Sequence, residues 1–122
     1  MSSAEDLASF QAWALEVLRL AAAPAELQRA EIDRLRVGVD EIALQLDDLA
    51  YVAEAHQGAG SIGFAEGQLI RSVDELINRL CAASSHMLTS NGLDEPEWES
   101  VRRLASEVIT ELSSSWSELA LG

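Results

Sequence analysis

The chain has 122 residues, 21 of them Asp or Glu against 8 basic ones, for a formal net charge of −13 at pH 7. That length fits one domain able to bury a core without a disulfide or metal staple, and 48% hydrophobic residues exclude the composition of a disordered chain. All eight basic residues are Arg, and the nearest to clusters are Arg34/Arg36 and Arg102/Arg103, so direct nucleic-acid binding and attachment to anionic membranes are both disfavoured.

The N-terminus lacks the basic region of a signal peptide, and Glu16 and Arg19 interrupt the apolar run that follows. No stretch reaches the apolar length needed to span a bilayer, and the lone Cys81 has no intrachain partner, so a cytoplasmic location is expected. The first helix is predicted over about Ala4 to Ala22, with Leu7, Phe10, Ala14, Val17 and Ala21 recurring in steps of three and four. Ser2 and Glu5 have the spacing of a capping box, and Pro24 ends the segment. A second, long helix is predicted from about Ala25 to Ala55, on a seam of Ile32, Leu35, Val39, Ile42, Leu46, Leu49 and Ala53. Gly38 inside it suggests a close approach or a mild kink.

Three glycines between His56 and Gly63 predict a loop. A third helix is expected over about Phe64 to Leu88, with Leu69, Val73, Leu76, Leu80 and Met87 on one stripe and Ile70, Ile77 and Cys81 beside it. Thr89 to Gly92 supplies a stop, and Asp94 with Pro96 opens a fourth helix to about Leu119. Its seam is Trp98, Val101, Ala105, Val108, Leu112, Ser115 and Leu119, widened by Leu104, Ile109 and Trp116. The expected fold is all-α: an antiparallel four-helix bundle with a long second helix, in one domain over residues 1–122.

One pattern exceeds what that fold needs. Val37, Leu44 and Tyr51 recur every seven residues on the side of the second helix opposite its seam, where a simple bundle meets water. Such a face is covered by a neighbouring helix, closes a homodimer, or receives a different protein. Trp13 and Leu20, also seven apart and beside the seam of the first helix, extend an interface of this kind, and Trp116 near the C-terminus is a further aromatic candidate, with core packing the plainer reading of each Trp. Asp40, Glu41, Asp47, Asp48 and Glu54 lie along the same helix as a row of negative charge. Solvated surface is the plainest reading of that row, and mimicry of a nucleic-acid backbone is a sharper one.

Catalytic and metal chemistry find no support. Only His56 and His86 are available, no Glu-x-x-His pair of a di-iron bundle occurs, and one cysteine cannot build a zinc site. No Gly-x-Ser-x-Gly elbow is present, and the Gly58 to Gly63 run lacks the lysine of a phosphate loop. His56 followed by Gly60 and Gly63 distantly resembles a histidine phosphotransfer domain, though Ala59 stands where that family has lysine. That resemblance implies an exposed phosphoacceptor His56 on a four-helix bundle.

Charge, missing chemistry and the second apolar face together lead to an expectation of a non-enzymatic interaction protein, without catalytic residues, cofactor or metal. It would be of inhibitor, antitoxin, immunity or adaptor type, acting on a basic protein. A structural homo-oligomer or a nucleic-acid mimic are the alternatives.

Overall fold

A computed structural model describes residues 3–121, with side chains over 5–84 and 86–117. Five α-helices follow in order: α1 (Ser3–Ala22), α2 (Ala25–Leu35), α3 (Asp40–Gly58), α4 (Phe64–Ala83) and α5 (Pro96–Leu121). Two 3₁₀ turns, Ser85–Leu88 and Asn91–Asp94, join α4 to α5. Among the described residues there is no strand, and no helix is long and apolar enough to cross a membrane. The expected caps at Ser2 and the seam side chain of Leu119 lie outside the described residues.

The helix count corrects the expected four. The predicted long second helix is two helices, because Arg36 adopts left-handed backbone angles, φ 58° and ψ 44°. Arg36 N–H donates to the carbonyl of Asp33 and Val37 N–H to that of Ile32, the paired bonds of a Schellman motif. The chain then restarts at Asp40, with Asp40 and Glu41 in the first turn of α3, where carboxylates complement the positive end of the helix dipole. Gly38, the residue that signals a kink in the sequence, sits in the connection and has no positive φ.

The break changes the helical phase. Ile32 stays buried on α2, and Val39, Ile42, Leu46, Leu49 and Ala53 stay buried along α3, but Leu35 turns outward at 42% exposure. The remaining seams hold better. Phe10, Ala14, Val17, Leu18 and Ala21 of α1 join Ile70, Val73 and Ile77 of α4 and Trp98, Val101, Ala105, Val108 and Leu112 of α5 in one core. Helix α1 packs against α5 and α3, while α4 packs against α3 and α5.

Helix α4 ends at Ala83, earlier than the predicted Leu88, and the following turns fold back as a plug. Met87 and Leu93 are buried, and Trp98 Nε1 donates to the carbonyl of Met87 at 2.6 Å. Gly92 fits here because an added Cβ would lie 2.0 Å from the carbonyl oxygen of His86.

Candidate functional site

Helix α3 carries the outward apolar face. Its buried positions all point one way, so the residues opposite them meet solvent: Leu44 is 54% exposed and Tyr51 is 77% exposed. Around them on the same helix stand Asp40, Asp47, Asp48 and Glu54, all exposed, and Glu41, half-buried and accepting a hydrogen bond from Gln45. Five carboxylates and no Lys or Arg occupy α3. Val37 does not extend this face along a continuous helix, because it lies in the connection between α2 and α3 with its side chain exposed.

Asp47 and Glu54 share an indentation with Tyr51, Arg71, Asp74 and Glu75, where α3 meets α4. Burial raises the Asp74 carboxyl above the ordinary aspartate range, and the charges of Asp47 and Glu75 push the same way against a hydrogen bond from Asn78. Among the described residues no group of three or more His, Cys, Asp or Glu could hold a metal ion.

A second feature adjoins the first. Trp13 and Leu20 of α1 face Leu27 and Leu35 of α2 across an open groove of about 830 Å³. Val17 of α1 and Gln45 and Asp48 of α3 line it as well. The structure therefore brings together three residues singled out in the sequence, Trp13, Leu20 and Asp48, and adds two that were not. Leu27, 61% exposed, is the most open leucine among the described residues with large exposed side chains, and Leu35 was assigned to the core seam. Their step of eight on one helix is a signal visible in the sequence once α2 is read as a separate helix.

Trp116 does not belong to the surface. It is 7% exposed, its ring lies edge-on to Phe10, and its Nε1 donates to Glu66 Oε2 at 2.5 Å. The same Glu66 accepts from the Gly63 N–H through its other oxygen, so the Trp anchors the first turn of α4 to the far end of α5. Glu66 is 50 residues away in the chain, so the stripe that Trp116 widens in the sequence accounts for its burial but not for this bond.

His56 occupies the last turn of α3, and its ring is tilted over Phe10 with centroids 4.4 Å apart. It is half-buried rather than displayed on an open helix face as a phosphoacceptor needs to be. Burial pushes the Cys81 thiol up from its ordinary value, the opposite of what activates a nucleophile. His86 sits in the first 3₁₀ turn, with Nε2 3.6 Å from Glu95.

No family model, curated protein or solved structure matches the chain.

Proposed function

We propose that the protein is a non-enzymatic interaction module that engages a basic surface of another protein, in the manner of an inhibitor, antitoxin, immunity protein or adaptor. On this reading α1, α3, α4 and α5 act as an antiparallel bundle that displays the outer face of α3, with α2 laid beside it. The observation that carries it is the exposure of Leu44 and Tyr51 amid Asp40, Asp47, Asp48 and Glu54. An apolar centre with a charged rim is how protein interfaces combine affinity with orientation.

Charge favours a basic partner over a second copy. Joining two chains through this face would set five α3 carboxylates against five more, between molecules of net charge −13.

The test compares tagged wild-type protein with the variant D47N/D48N/E54Q/Y51S in lysate of the source cells, at low and high salt. The expected result is a stoichiometric basic protein held by the wild type, released by salt and not retained by the variant. Equal retention of that partner by the variant overturns the reading. Competition by duplex DNA for the partner would identify nucleic-acid mimicry as the form the interaction takes.

A further inference from the structure

We infer that the groove between α1 and α2 receives an amphipathic helix supplied by the basic partner, a placement that rests on the interaction reading above. Helix α2 buries Gln28 and Ile32 and leaves both its leucines outside the core. Leu27 and Leu35 are separated by about 12 Å along α2, and Trp13 and Leu20 by about 10 Å along α1, at 1.5 Å of rise per residue. Two apolar walls of that length match about two turns of a docked helix, whose i, i+4 and i+7 side chains fall on one face. The groove's volume of about 830 Å³ accommodates those side chains while the helix axis stays at the rim.

The rim selects the charge of the occupant. Glu16, Glu31 and Asp48 line the groove with Arg19 and Arg34, and because Glu31 and Arg34 pair with each other, Glu16 and Asp48 stand against Arg19 alone. Glu41 stands one turn from Gln45 on the α3 side and accepts its hydrogen bond. Beyond Asp48 the acidic face around Leu44 and Tyr51 continues the same surface. A helix with Arg or Lys flanking its apolar stripe is matched by this arrangement, whereas a helix of a second copy brings the same acidic surplus to it.

The structure also supplies its own reporter. Trp98 and Trp116 are buried, so Trp13 is the tryptophan whose environment a groove ligand changes. The probe is a helical peptide of about 15 residues with leucines on one face and arginines on the others, next to a control with every arginine replaced by glutamate. The expected outcome is a blue shift of emission with the arginine peptide, absent in Trp13→Phe, and affinity at least about tenfold lower for the glutamate peptide and for the variant L27S/L35S. Both serines replace exposed side chains, and unchanged circular dichroism melting confirms that the fold is kept.

Equal binding of the two peptides, no binding of the arginine peptide, or full affinity in L27S/L35S overturns the inference. A concentration-dependent Trp13 shift without peptide also overturns it, because a second copy then fills the groove. Loss of peptide binding in L44S/Y51S but not in L27S/L35S rejects the groove while leaving the acidic interaction reading intact. Failure of that reading shows separately, in retention of the natural partner by the α3 variant.

Discussion

Arg102 reaches from α5 to Gln28 of α2, donating to its side-chain oxygen from Nε at 3.1 Å and from Nη2 at 2.8 Å. Gln28 is fully buried, and its amide nitrogen donates in turn to the carbonyls of Leu20 and Ala21, in the last turn of α1. Arg102 also donates to the carbonyls of Ala23 and Leu93. The end of a helix leaves carbonyls without intrahelical partners, and here two side chains from other helices satisfy them. Replacing Gln28 with Met fills the space but strands the guanidinium donors. A loss of about 2–3 kcal/mol in urea unfolding is expected, since hydrogen bonds to a charged group are the stronger kind. The double variant Q28M/R102M should lose less than the sum of the single ones, because the guanidinium and the Gln28 oxygen that it meets are removed together, and only the backbone carbonyls are left without donors.

Arg36 and Gly60 occupy equivalent places, each in the left-handed position after a helix, at φ 58° and 81°. Gly60 N–H donates to the Gln57 carbonyl and Ser61 N–H to that of His56, the same paired bonds that close α2. A side chain in this conformation carries a steric cost that glycine lacks. Arg36→Gly should therefore stabilise the protein by about 1 kcal/mol, or roughly 4 °C in melting temperature. Gly60→Ala, with open space around the new methyl group, should destabilise it by about 1 kcal/mol through the backbone alone. Thermal denaturation of the two variants beside the wild type measures both signs.

That comparison also explains which features the sequence disclosed. The helical class, the loop after α3 and most buried positions follow from periodicity and glycine, which are local signals. The end of α2 did not follow, because the residue that turns the chain is an arginine, and its neighbour Gly38 drew attention to the wrong position. A continuous helix through this point puts Leu35 in the seam and hides the groove-facing stripe of α2. The hydrogen bonds of Trp116 and Gln28 do not follow from the sequence pattern, for a different reason. Their partners, Glu66 and Arg102, are 50 and 74 residues away, and no local pattern carries such a pairing. Leu44 and Tyr51 were legible because an apolar residue opposite a seam is anomalous wherever the helix packs.

Asp74 and Asp94 predict opposite pH responses. The Asp74 carboxyl is raised, first by burial and then by Asp47, so the folded state disfavours its charged form. That penalty is present at neutral pH and disappears as pH falls through the raised value and the carboxyl protonates. Asp74→Asn should therefore be more stable than wild type at neutral pH, with the advantage shrinking on acidification. Asp94 is lowered, chiefly by the hydrogen bond from Arg29 at 2.6 Å. Its stabilisation holds above the ordinary aspartate value and is lost as pH falls through the lowered one, so Asp94→Asn should be the less stable variant at neutral pH. Urea unfolding across the acid range separates the two, and a D74N protein weaker than wild type at neutral pH would contradict the burial of Asp74.

The two sides of α3 make the sharpest contrast available to substitution. Leu46 and Leu49 are buried within the core, while Leu44 and Tyr51, on the same helix, face out. Leu46→Ala removes buried methyl groups and leaves a cavity, at a cost of about 3 kcal/mol. Leu44→Ser and Tyr51→Ser remove surface already in contact with water and should change stability by less than about 0.5 kcal/mol. Chemical denaturation of the three variants measures how α3 is rotated. A large loss for Tyr51→Ser would mean that its ring is covered in the protein alone, and the face proposed for the partner would then be occupied from within. Near-neutral stability combined with loss of partner retention would instead separate binding from folding at these two residues, which neither core packing nor surface charge alone would produce.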